Sequence, residues 1–92
     1  MSRLTKKTEN DYLVDAEYLV QKENSFTGEA VDKLAAFENF AQHLAEEQVQ
    51  LTAELEELKA QGKGNTVRFR QLFANKLTGQ NTLILLKRFG IE

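Results

Sequence analysis

Between Thr27 and Gln61 one row of positions recurs at alternating spacings of four and three residues: Ala30, Leu34, Phe37, Ala41, Leu44, Gln48, Leu51, Leu55 and Leu58, with Gln48 its single polar member. A 3.5-residue repeat held over about four heptads predicts the narrow seam of a coiled coil rather than the wider stripe of a short core helix. Leu34 takes an a position, Phe37, Leu44, Leu51 and Leu58 take d, and Gln48 falls at a. Thr27 reads as the N-cap, Glu29 sits where the helix dipole favours an anion, and Gly62 and Gly64 read as the stop.

Length then decides how that seam is used. A helix over 27–61 spans roughly 50 Å, whereas a compact chain of this size is only about 25–30 Å across. The ridge is therefore expected to pair with a second copy, a dimer being favoured, through Leu34, Phe37, Ala41, Leu44, Gln48, Leu51, Leu55 and Leu58. A lone polar a residue such as Gln48 suits that role, because it fixes register. The alternative is a monomeric helical hairpin, with the last third of the chain lying back along the seam. That third looks too short, and too broken by Gly79, to do so.

After the glycines, Asn65 or Thr66 caps a second helix, in which Phe69, Leu72, Phe73 and Leu77 share a face. Thr78-Gly79-Gln80-Asn81 reads as a turn, and Leu83 to Phe89 as a short apolar third helix stopped by Gly90. Residues 1–26 follow neither helical nor strand period cleanly, so a frayed helix or a short hairpin would serve. The predicted fold class is all-α: one long coiled-coil-like helix, two short C-terminal helices, and an N-terminal arm that is irregular or a short hairpin. One domain covers 1–92, divided into an arm (1–26), the long helix (27–61) and a C-terminal helical pair (65–91).

Composition narrows the function classes. Ninety-two residues leave little room for a deep catalytic cleft. The chain has no cysteine, which removes disulfides, thiolate nucleophiles and Cys-containing zinc sites. No apolar run approaches a membrane span, and no apolar stretch follows Arg3, Lys6 and Lys7, so neither a membrane helix nor a signal peptide is expected. A cytoplasmic protein is expected.

Charge is unevenly laid out. Residues 8–61 hold thirteen acids against Lys22, Lys33 and Lys59, a net of -10, while residues 62–91 hold six cations and no acid. The two blocks can neutralise each other, or the basic block can meet an acidic surface.

Candidate chemistry is sparse. His43 is the only histidine, on the outer side of the heptad frame, short of the three convergent ligands a metal site needs. Glu46 with Glu47, and Glu56 with Glu57, are sequence neighbours that diverge by about 100° on a helix, so neither pair can share a substrate proton. No catalytic residue, metal or cofactor is expected. Gly62-Lys63-Gly64-Asn65-Thr66 has the parts of an anion contact, with Lys63, Arg68 and Arg70 as its cations, but lacks the order of a phosphate loop. The last two predicted helices outline a helix-turn-helix. The would-be reading helix offers Leu83, Ile84, Leu85 and Leu86, which cannot read bases, so nucleic acid is a weak alternative partner.

The opening Arg3-Leu4-Thr5-Lys6-Lys7-Thr8-Glu9-Asn10, the Lys33-Leu34-Ala35-Ala36-Phe37-Glu38 run and the Phe69-to-Ile91 segment resemble small accessory proteins encoded by phages and prophages of Firmicutes. Those proteins have no agreed activity, so the resemblance carries over no site residue. It implies a product acting inside a bacterial host, where inhibitors of antiviral systems are frequent. The expectation is non-catalytic binding of a host or phage protein, in the manner of an anti-CRISPR-like inhibitor. The acidic face Glu46, Glu47, Glu54, Glu56 and Glu57 would imitate nucleic acid toward a basic groove. The alternatives are a nucleotide-sequestering oligomer using Lys63, Arg68 and Arg70, and a DNA-associated phage regulator.

Overall fold

Between Thr5 and Thr27 the chain turns back on itself twice, in a computed structural model that describes residues 2–92. Strand β1 (Thr5–Lys7) pairs antiparallel with β2 (Tyr12–Val14), Thr5 opposite Val14 and Lys7 opposite Tyr12. Thr8 closes the loop between them. Its backbone N–H and its hydroxyl donate to the Asp11 carbonyl at 2.8 and 3.0 Å, and the hydroxyl accepts from the Asp11 N–H at 2.9 Å. Lys6 reaches Asp15 at 2.9 Å, and the hydrogen bond to that carboxylate holds the ammonium above the usual lysine range. After a 3-10 turn at Ala16–Tyr18, β3 (Val20–Lys22) pairs with β4 (Ser25–Thr27) across the two-residue turn Glu23-Asn24, where Glu23 takes φ 57°.

These hairpins overturn the all-α expectation. Their strands are three residues long, too short to show an alternating period. The loop formers Thr8-Glu9-Asn10-Asp11 and Glu23-Asn24 carry the signal instead. Thr27 likewise ends β4 rather than capping a helix. Gly28 makes the junction: its carbonyl accepts from the Asp32 N–H at 2.9 Å, its φ is +123°, and a Cβ there would lie 2.5 Å from the Tyr18 carbonyl oxygen. Only glycine fits.

Helix α1 runs from Glu29 to Ala60, about 48 Å by its rise. Its end is a Schellman motif: Gly62 (φ +74°) donates to the Lys59 carbonyl at 3.0 Å and Lys63 to the Leu58 carbonyl at 2.8 Å. Helix α2 runs unbroken from Val67 to Arg88, with the Thr66 hydroxyl accepting from the Phe69 N–H at 3.2 Å as its N-cap. The two short C-terminal helices expected from the sequence are therefore one. Thr78 and Thr82 do not turn the chain, because their hydroxyls fold back onto the Ala74 and Thr78 carbonyls at 3.1 and 2.8 Å. Gly79 is buried within the helix, and a side chain there would collide with the Gln48 amide of α1. It is a place of close approach rather than a break.

The chain forms two compact units, Met1–Glu38 and Asn39–Glu92. The first holds both β-hairpins and the start of α1. In the second, α2 lies antiparallel on the remainder of α1, with Arg68 at 3.4 Å from Glu54, the Lys59 ammonium 5.9 Å from the Phe69 ring centre, and Gly79 against Gln48. Unbroken, α2 is about 33 Å long, enough to cover Leu44, Leu51 and Leu55.

Candidate functional site

The residues expected to form an interface between copies separate into two groups. Leu44, Leu51 and Leu55 are 9%, 7% and 5% exposed, and α2 of the same chain covers them. Ala41, Gln48 and Leu58 are half-buried beside them. In the first unit Leu34 and Phe37 stay open. Gln48 sits in the helical seam with both amide atoms buried and without a hydrogen-bond partner. Such a group costs about 1–3 kcal/mol relative to a satisfied one.

The acidic residues of α1 sort by angle. At about 100° per residue, Glu46, Glu47, Glu54 and Glu57 fall on one arc of roughly 100°, and Glu56 lies beyond its edge. Between Asn39 and Ala60 that arc carries no lysine or arginine, the one cation of the segment, Lys59, being on the flank that meets Phe69. The members of the arc are held in place locally. Glu46 accepts from the Gln42 amide at 3.1 Å, Glu47 lies 3.2 Å from His43 Nε2, Glu57 accepts from Gln61 at 3.5 Å, and Glu54 meets Arg68. Exposed pairs of this kind stabilise little, though each restricts the rotamers of its carboxylate.

Lys63, Arg68 and Arg70 do not converge. Arg68 turns to Glu54, and Arg70 donates to the Asn65 carbonyl at 3.3 Å. Two positions apart on a helix, they diverge by about 160°. Lys63 stands in the interhelical loop, its backbone N–H completing the end of α1. An anion would meet these cations one at a time.

Phe69, Leu72, Phe73 and Leu77, which share a face by their spacing, are divided by the structure. Phe69 and Leu72 are half-buried, while Phe73, Leu77 and, a further two turns on, Ile84 are about half exposed on a row turned away from α1. The signal was present in the spacing of Phe73, Leu77 and Ile84 at i, i+4 and i+11, masked by the assumed turn at Gly79.

The first unit contains an open cavity of about 400 Å³, lined by Leu4, Val14, Ala30, Leu34 and Phe37 with Arg3 and Lys33 at its margin. Both cations are engaged within the chain. The Lys33 ammonium donates to the Ser2 carbonyl, and Arg3 donates to the Thr5 hydroxyl at 3.1 Å with its guanidinium 5.7 Å from the Tyr12 ring centre. No group of three or more potential metal ligands occurs among the described residues. Among the same residues, no helix is long and apolar enough to cross a membrane.

The chain matches no protein-family model, no curated protein and no solved structure.

Proposed function

We propose that this chain is a non-catalytic cytoplasmic protein that acts by binding a macromolecular partner, and that the partner is a protein with a basic, nucleic-acid-gripping groove. A host antiviral protein is the target class that the phage-protein resemblance adds to this reading. The observation that carries it is the arc of α1 bearing Glu46, Glu47, Glu54 and Glu57, which has no lysine or arginine of its own and meets Arg68 of α2 at Glu54. From Glu46 to Glu57 the helix rises about 16 Å. Four carboxylates over that length, one of them paired with Arg68, approach the roughly five phosphates of a single nucleic-acid strand and fall well short of duplex density. The arc therefore suits a groove shaped for a single strand. The preset carboxylates reduce the ordering cost of binding.

Affinity capture from bacterial lysate with the tagged chain tests this, in parallel with the variant carrying Glu46→Lys, Glu47→Lys, Glu54→Lys and Glu57→Lys. The expected result is a captured protein that is lost with the variant and released by single-stranded DNA. Capture that neither charge reversal nor DNA disturbs would refute the proposal.

A further inference from the structure

One flank of the α1–α2 hairpin is apolar and open. Phe73, Leu77 and Ile84 are 47%, 45% and 55% exposed. They lie within roughly 40° of one another and about 140° round the helix from Gly79, which faces α1. The contacts between the helices fix which side of the hairpin this is. Lys59 meets Phe69, and Phe73 stacks on Phe69 with ring centres 6.3 Å apart and an interplanar angle of 8°, so the row continues the Lys59–Phe69 side. The Glu54–Arg68 ion pair marks the opposite flank. On α1 the same side presents Val49, 72% exposed, and Glu56.

Height along the hairpin follows from its crossings. The helices are antiparallel, so each step forward on α1 matches one step back on α2. Counting from Gln48 at Gly79 sets Val49 level with Thr78 and Leu77, and counting from Lys59 at Phe69 sets Glu56 level with the turn that contains Arg70. Arg70 sits on this flank as well, about 60° from Phe73.

We propose that a second copy of the chain covers this flank, the two hairpins packing face to face about a two-fold axis parallel to their helices, as a four-helix bundle. That operation lays each α2 antiparallel on the partner's α1. Leu77 then meets the partner's Val49, and Arg70 meets the partner's Glu56, both contacts made twice. The other face-to-face arrangement, with the two-fold across the helices, lays α2 antiparallel on α2 and brings Arg70 toward the partner's Lys87 and the partner's Arg88, and α2 contains no acid to offset them. Charge therefore selects the α2-on-α1 arrangement.

Area sets the strength. Val49, Phe73, Leu77 and Ile84 together show roughly 300–400 Å² of apolar side chain. A standard contact of about 800 Å² per partner, a little over half apolar, needs about 450 Å². The exposed Ala45 methyl and the stems of Arg70 and Gln80 supply the remainder. Area alone does not fix the affinity, and a contact resting on four partly exposed apolar side chains belongs with the weak dimers, roughly micromolar. The hairpin also has reason to use it. Its core is three leucines, and a chain with no cysteine has no disulfide to reinforce it.

Sedimentation equilibrium of the full chain from about 1 µM to 1 mM reads the proposal directly. The expected result is a monomer–dimer equilibrium whose dissociation constant rises at least about tenfold with Leu77→Asp. Because that site is half exposed, helix content by circular dichroism should stay unchanged. Arg70→Glu and Glu56→Arg should each weaken association, and the two together should restore it. One-chain mass throughout the range, association unaffected by Leu77→Asp, failure of the double reversal to restore it, or open-ended growth would overturn the two-fold bundle. None of these substitutions touches the acidic arc, so this test and the capture test fail independently.

Discussion

Gln48 offers the sharpest test of how the hairpin is held together. Its amide nitrogen and oxygen are both buried and both unpartnered, in the seam where Gly79 lets the helices approach. Replacing it with leucine removes a donor and an acceptor that gave up water for nothing. Relief of that burial is worth about 1–3 kcal/mol. Leucine is one heavy atom shorter in reach, so a small gap beside Gly79 takes back a fraction of the gain. The net expectation for Gln48→Leu is about 1–2 kcal/mol of added stability. For a chain of this length that raises the melting temperature by roughly 5–15 °C. Urea unfolding followed by far-ultraviolet circular dichroism measures it, read at unchanged m so that the comparison concerns stability alone. A second variant isolates the geometry. Gly79→Ala adds helix propensity worth about 1 kcal/mol, but its methyl group falls on the Gln48 amide. It should therefore be more favourable by about 1–3 kcal/mol in a Gln48→Ala background than in the natural one. A Gln48→Leu protein less stable than the natural chain, or Gly79→Ala giving equal effects in both backgrounds, would show that the amide is satisfied and the reasoning wrong.

Leu55→Ala should cost about 2–5 kcal/mol in the same assay, since Leu55 is 5% exposed, while Leu34→Ala, at a position 59% exposed, should cost less than about 1 kcal/mol. Gly28→Ala should lower stability by more than about 2 kcal/mol, because the positive φ and the Tyr18 carbonyl both oppose a methyl group, and loss of the β3–β4 hairpin in amide exchange would locate the damage. Tyr18 titrates above the ordinary tyrosine range, chiefly through the charge of Glu17 and then through burial. Ultraviolet titration should thus show a late tyrosinate step that Glu17→Gln moves back toward the free value. A raised phenol leaves stability intact below about pH 10 and erodes it as pH climbs from there to the folded value.

What the sequence revealed depended on how many residues each signal spans. The 3.5 repeat from Ala30 to Leu58 covers many turns, and α1 is a single helix over Glu29–Ala60. The β-hairpins were illegible as strands because three residues give no period, although Thr8-Glu9-Asn10-Asp11 and Glu23-Asn24 do the turning. Gly79 misled for a physical reason. Glycine marks both turns and close helix crossings, and only the position of Gln48 across the seam distinguishes them. The same misreading hid the length of α2, and with it the cover over Leu44, Leu51 and Leu55. Among the candidate site residues, the angular grouping of Glu46, Glu47, Glu54 and Glu57 follows from helical geometry alone. The divergence of Arg68 and Arg70 followed from the same geometry, while their individual partners required coordinates.

Both strand pairs and the helix pair join elements adjacent in order: β1 with β2, β3 with β4, α1 with α2. Such a low contact order places its folding among the fast cases, roughly microseconds to milliseconds. Synthesis at about 5–20 residues per second is far slower. On a ribosome, each hairpin can therefore close as soon as its second half emerges. For a second or more, Leu44, Leu51 and Leu55 stand bare on α1 while α2 is still being made, the interval in which a nascent chain is most open to chaperones or to a neighbouring nascent copy.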